Sequence, residues 1–200
     1  MDHTVYIRSF AAPEWNQKEI LRYAGVRGDA PELDALLQAC LDEAKSKLVY
    51  KVCYRELPVV DHGFFLDLGF TKTESVDLKR NLSGCERIVL FAATVGIGID
   101  RLISRYATVS PTKSLLFQAI GAERIESLCD AFTRELEQEK KAEGYRVRPR
   151  FSAGYGDFPL EVQREIFAVL DCPRKIGVTL NESLLMSPSK SVTAIVGVGD

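Results

Sequence analysis

The chain has 200 residues, 46% of them hydrophobic and 27% charged, and a formal net charge of -2. That is enough for one domain with a sizeable core. The near-neutral balance, without a basic run, argues against nucleic acid as the main partner, and no apolar run is long enough to span a bilayer. The N-terminus, Met1-Asp-His-Thr-Val, lacks a basic region followed by an apolar one, so no signal peptide is expected. The cysteines (Cys40, Cys53, Cys85, Cys129, Cys172) are odd in number and form no C-x-x-C pair. They read as small apolar residues of a protein in the reduced cytoplasm, not as disulfides or a zinc site.

Thr4 to Phe10 reads as a short strand. Asn16 caps a helix through Ile20, Leu21 and Tyr23 to Gly25. Asp29-Ala-Pro-Glu opens a second helix, with Pro31 in its first turn and Leu33, Leu36, Leu37, Cys40 and Leu41 at helical spacing. From Leu48 to Val60 the period becomes two, which predicts a strand. Phe64 to Phe70 predicts another, paired with it through an Asp61-His62-Gly63 turn. Ser75 caps a short helix through Leu78 and Leu82. The apolar run Ile88 to Thr94 predicts a fully buried strand, and Val95-Gly-Ile-Gly-Ile-Asp100 opens a helix through Leu102, Ile103 and Tyr106. Ser110-Pro-Thr starts the longest helix, which runs to Glu143 before Gly144 and carries an apolar stripe of Leu116, Ile120, Ile125, Leu128, Cys129, Phe132 and Leu136. Tyr145 to Phe151 alternates as a strand, and Ser152-Ala-Gly-Tyr-Gly-Asp is a glycine loop. Pro159 then starts a helix from Leu160 to Leu170. Ile176 to Leu180 and Ser191 to Val198 close the chain as strands. Helices and strands do not alternate strictly. The fold class is therefore α+β, a single domain over 1–200 with a mainly antiparallel twisted sheet and flanking helices.

Arg150 stands where a strand ends and glycine-rich backbone begins. A guanidinium there can hold a carboxylate bidentately while loop N–H groups meet further acceptors. The plainer reading is a tight strand-to-helix connection with solvated arginines. The long helix carries Glu123, Glu126 and Asp130 on one stripe, with Gly121 and Ala122 leaving room for another element or a ligand; a solvated acidic face is the alternative. Gly96-x-Gly98 lacks the third glycine of a dinucleotide fingerprint, since Arg101 stands in its place, and reads as turn packing. His62 is a turn residue, and His3 lies near the terminus. No cobalt ligand, metal site, Ser-His-Asp or Cys-His arrangement is apparent. Tyr155 is either an anchor with its ring under the loop or a surface aromatic.

Two stretches, Arg150-Phe-Ser-Ala-Gly-Tyr155 and Leu180-Asn-Glu-Ser-Leu-Leu-Met-Ser-Pro-Ser-Lys-Ser-Val192, fit in order and spacing the patterns R-x-x-x-G-Y and L-x-E-S-x-x-M-x-P-x-x-S-V. On these motifs, which cover about the last quarter of the chain, it resembles the activation domain of vitamin B12-dependent methionine synthase, as a free-standing relative. The resemblance implies a C-shaped, helmet-like fold that binds S-adenosylmethionine. Arg150 would hold the carboxylate, Glu126 would favour the ammonium, and backbone from Phe151 through Ser152 and Ala153 to Gly154 would meet the rest. Tyr155 would face the corrin ring, and Glu182 and Ser183 would orient the loop. The role implied is support, in trans, of the reductive methylation of cob(II)alamin on a methionine synthase lacking its own activation domain, with a flavodoxin- or ferredoxin-type electron donor. Where the longer enzymes carry proline before Gly-Tyr and Pro-Ala-Cys-Pro after it, this chain has Ala153 and Gly156-Asp-Phe-Pro159. The alternatives are a non-catalytic assembly or sensor protein for a corrinoid protein, and an independent small-molecule methyltransferase.

Overall fold

The computed structural model describes residues 4–28 and 30–200, so His3 and Asp29 lie outside the described residues. Strand β1 (Tyr6–Ser9) leads to helix α1 (Gln17–Tyr23), where the Asn16 side chain accepts the Glu19 N–H at 3.2 Å. Helix α2 (Pro31–Lys45) starts on its proline and buries Leu37, Cys40, Leu41 and Ala44. Strand β2 (Lys51–Pro58) follows. Next come β3 (Val60–Asp61), β4 (Leu66–Asp67) and β5 (Lys72–Thr73), which form a small sheet of their own.

The long hairpin expected between Leu48 and Phe70 is thus split. Pro58 ends β2, because it has no N–H for a ladder. Val60 and Asp61 still pair with Asp67 and Leu66 across the predicted turn. The run then breaks at Gly69, whose φ of +75° and N–H to Asp67 Oδ1 (2.9 Å) turn the chain back into β5.

Helix α3 (Val76–Asn81) is capped by Ser75, whose hydroxyl accepts the Leu78 N–H at 3.0 Å. Strand β6 (Cys85–Thr94), helix α4 (Gly98–Tyr106) and the long helix α5 (Pro111–Ala142) follow as expected. Strand β7 (Arg146–Val147) is short. A 3-10 turn over Leu160–Val162 leads into α6 (Gln163–Leu170), and α7 (Cys172–Ile176) comes next. The strand expected from Ile176 is corrected by α7: Pro173 lies in its first turn and Gly177, at φ +73°, ends it. Five residues are too few for apolar periodicity to reveal a helix. A hairpin of β8 (Thr179–Leu180) and β9 (Met186–Ser187) precedes β10 (Ser191–Gly199).

The main sheet is ordered β1-β2-β6-β10-β7, and each neighbouring pair is antiparallel. Its faces are separate cores. Val52, Val89, Phe91, Ala93, Ala194 and Val196 meet Ile20, Leu37, Ile99 and the α5 stripe on one side. Cys53, Ile88, Leu90, Ala92 and Ile195 meet Leu78, Phe158, Ile166 and Leu170 on the other. Strand β6 therefore reads as a continuous apolar run because helices cover both faces, although its partners are antiparallel. At about 1.5–3 kcal/mol for each large apolar side chain buried, such a two-sided central strand anchors the fold.

Candidate functional site: an arginine at the sheet edge

Val147 pairs with Val198, and the next pairing on that edge joins Phe151 to Ile195. Four residue steps on one side (147 to 151) thus oppose three on the other (198 to 195), which is a β-bulge. Pro149, unable to donate to a ladder, sits inside it. The extra residue inverts the alternation. Val147 packs on the α5 side of the sheet, whereas Phe151 enters the opposite core. Arg148, beside Val147, turns away from α5 and donates to the Ser83 carbonyl at 2.9 Å. Arg150, beside Phe151, turns toward α5. The regular strand expected from Tyr145 to Phe151 would have set both arginines on one face; β7 is its only regular part.

Arg150 Nη2 lies 2.6 Å from Asp130 Oδ1 and 3.3 Å from Glu126 Oε2. The arginine side chain is 25% exposed, Asp130 58% and Glu126 46%. At that exposure the ion pairs add about 0–1 kcal/mol each to stability and can be exchanged for others. A cleft of about 440 Å³ opens beside them, lined by Asp130, Thr133, Arg134, Val147, Pro149 and Arg150. Asp130 and Arg134 also line a larger groove of about 1130 Å³ between α5 and residues 10–18. Burial pushes the Cys129 thiol beneath up to about 12, so it stays protonated and inert as a nucleophile.

Glu123 does not belong to that exposed row. It is buried, as is its neighbour Arg124. Arg124 donates to Glu123 and to the Pro13 and Glu14 carbonyls at 2.6 and 2.7 Å, with its guanidinium 4.1 Å from the centre of the Trp15 ring. Glu123 in turn accepts the Ser127 hydroxyl at 2.7 Å and the Asn16 N–H at 3.3 Å. This cluster pins residues 13–16 to α5 and builds one wall of the larger groove. The sequence held a signal for it: Arg124 stands four residues after Ile120 and four before Leu128, inside the apolar stripe.

The loop after Arg150 closes on itself. The Gly154 N–H donates to the Phe158 carbonyl (2.8 Å) and the Tyr155 N–H to the Ser152 carbonyl (3.1 Å), with Gly154 at φ +87°. Those two donors are spent inside the loop. The Asp157 carboxylate accepts the Val76 N–H at 2.7 Å and bonds the Ser75 hydroxyl, tying the loop to α3. Tyr155 is 69% exposed and meets Phe151 edge-on at 5.3 Å, so its ring is not packed under the loop. It faces a second cleft of about 610 Å³, with Asp77, Arg80, Asn81 and Gly156. The structure therefore brings Arg150 and Glu126 together on the α5 side and places Phe151 and Tyr155 on the α3 side. Ser152 and the buried Ala153 lie between.

The remaining candidates lie away from the Arg150 cleft. A Cβ on Gly98 would fall inside the shell of the Lys47 carbonyl oxygen, so close packing of α4 on the end of α2 accounts for that glycine. The room beside Gly121 is filled by another element: a Cβ there would meet Lys190 Cγ at 2.8 Å. His62 stacks on Phe65 at 4.7 Å, next to the turn in which Asp61 accepts the Gly63 N–H. Glu182 and Ser183 are exposed in the β8–β9 turn, where the Glu182 carbonyl accepts Arg164 at 3.0 Å. Among the described residues no group of three or more His, Cys, Asp or Glu is placed to hold a metal ion, and no helix is long and apolar enough to cross a membrane.

Fold and site together define an α+β protein with an arginine, bracketed by two carboxylates, at the edge of its antiparallel sheet. Residues 77–199 match the model of the family described as vitamin B12 dependent methionine synthase, activation domain, and the chain belongs to that family. Among solved structures it is similar to the MetH reactivation domain bound to AdoHcy, with a TM-score of 0.67 and 17% identity over 97% of this chain and 78% of that one. At that identity the likeness is one of fold, and it extends to residues ahead of 77. No curated protein matches the chain.

Proposed function

We propose that the chain binds S-adenosylmethionine at the Arg150 cleft and presents it to a cobalamin carried by a partner methionine synthase, supporting reductive reactivation of that enzyme. The observation that carries this reading is Arg150, held against Asp130 and Glu126 at the mouth of a cleft in a chain of this family. A guanidinium donates two parallel hydrogen bonds to a carboxylate, and a carboxylate favours an ammonium. The amino-acid end of an S-adenosyl ligand carries both charges, so the residues present fit it. The AdoHcy in the structurally similar domain supports the same ligand class. Main chain at Ser152 and Ala153, close to Arg150 in sequence, is assigned the rest of the ligand.

The methyl donor's sulfonium and a reduced cobalamin on the partner supply the chemistry. This chain's residues bind, orient and exclude water, and no general acid or base of its own is required. Arg150 fixes the ligand by its carboxylate, Glu126 favours the ammonium end, and Tyr155, exposed on the α3 side, is assigned the contact with the corrin. The partner lacks its own activation domain, the electron donor is of flavodoxin or ferredoxin type, and the setting is the cytoplasm.

Calorimetry with S-adenosylmethionine tests the reading. Wild type is expected to bind, and Arg150→Ala to weaken binding by about 2–4 kcal/mol, the scale for leaving a charged partner unpaired. No binding to wild type would leave only the assembly reading. Methyl transfer to an acceptor without cobalamin would point instead to an independent methyltransferase.

A further inference from the structure

We infer that Asp130 makes the Arg150 cleft selective for zwitterionic ligands by exchanging partners when the ligand enters. The inference rests on the reading that the cleft takes the amino-acid end of an S-adenosyl ligand. The carboxylate nearest Arg150 is the chain's own: Asp130 Oδ1 at 2.6 Å, with Glu126 further off at 3.3 Å. Asp130 therefore stands where a ligand carboxylate has to go. Its side chain is more exposed than that of Arg150, 58% against 25%, so Asp130 is the member free to swing. It also borders the larger groove as well as the Arg150 cleft, which leaves it space to move into.

The charge balance decides which ligands can drive the exchange. A zwitterion gives its carboxylate to Arg150 and its ammonium to the displaced Asp130, so one ion pair becomes two and no charge is left alone. A ligand with only a carboxylate displaces Asp130 and gives it no ammonium in return, while the other charged side chains of the cleft, Arg134 and Arg148 against Glu126 and Glu137, balance one another. A ligand with only an ammonium gains little, since Asp130 already has a cation. Asp130 is thus a specificity-determining residue that opposes lone carboxylates.

The test compares the affinities of S-adenosylhomocysteine, its desamino analogue and its decarboxylated analogue for wild type, Asp130→Asn and Glu126→Gln. Thermal unfolding of each variant confirms the fold, which exchange of an exposed side chain should preserve. Wild type is expected to prefer the zwitterion over the desamino compound by more than about 30-fold, in keeping with the loss of one charged hydrogen-bonded pair. Asp130→Asn should shrink that preference at least fivefold, mainly by tightening the desamino compound, because Arg150 then keeps only the more distant carboxylate, Glu126. Glu126→Gln should shrink it less. If wild type binds S-adenosylhomocysteine and Asp130→Asn keeps the same preference, the exchange is refuted while the proposed function stands. If wild type binds none of the three, the proposed function falls, and the exchange with it.

Discussion

Arg124 shows how one residue can hold a wall in place. Its guanidinium is fully buried, yet each side of it is occupied: the Glu123 carboxylate, two main-chain carbonyls and the Trp15 ring. Removing one member of a buried pair leaves the other uncompensated. Glu123→Ala is therefore expected to cost about 3–5 kcal/mol, and replacing both residues by methionine to cost clearly less. Urea unfolding followed by fluorescence measures this directly, because the chain's single tryptophan, Trp15, lies on the pair. Arg150 contrasts with it. The same residue type, one-quarter exposed and paired with exposed carboxylates, contributes little to stability and stays available for exchange.

At the scale of elements, the bulge between β7 and the Phe151 bridge decides which way Arg150 faces. Deleting Pro149 would remove the extra residue and restore equal residue steps on the two sides of the edge; regular alternation from Val147 would then keep Arg150 toward α5 and Phe151 opposite. The expected result is retained S-adenosylmethionine binding with an unchanged far-ultraviolet circular dichroism spectrum; lost binding would show that the bulge sets more of the site than the facing of Arg150. The packing of α4 on the end of α2 makes a separate prediction. Gly98→Ala should destabilise the fold by about 1–3 kcal/mol, since a carbonyl oxygen cannot rotate out of the way as a flexible side chain can. A denaturant midpoint lowered at constant slope is the readout.

For the whole molecule, two exposed carboxylates link surface loops to the body and set its response to acid. The Ser75 hydroxyl, aided by the Val76 and Asp77 N–H groups, holds the Asp157 carboxyl below its ordinary range, and Lys79 does the same for Asp61. A carboxyl whose pKa is lower folded than unfolded stabilises the fold above its unfolded value, and that contribution fades as pH falls through the folded one. Stability is therefore expected to drop below about pH 4. Asp157→Asn should flatten that part of a melting-temperature profile taken against pH, and an unchanged profile would show that the tie to α3 is not a source of the acid response.

What the sequence determined by itself were the features that depend on local chemistry or on long periodic runs. The Asn16 and Ser75 caps, the proline starts of α2 and α5, the full length of α5 and the buried β6 are of this kind, and so were the two motifs that carry the family. It also placed Arg150, Glu126 and Asp130 on candidate surfaces. Tertiary structure alone decided which of the three carboxylates meets Arg150, because burial of Glu123 depends on residues more than a hundred positions away. It alone decided the facing of Arg150, which turns on a count of residues between two strands remote in sequence. Periodicity reports a residue's place on its own element, whereas the partner of a charge is set by whichever other element packs against it.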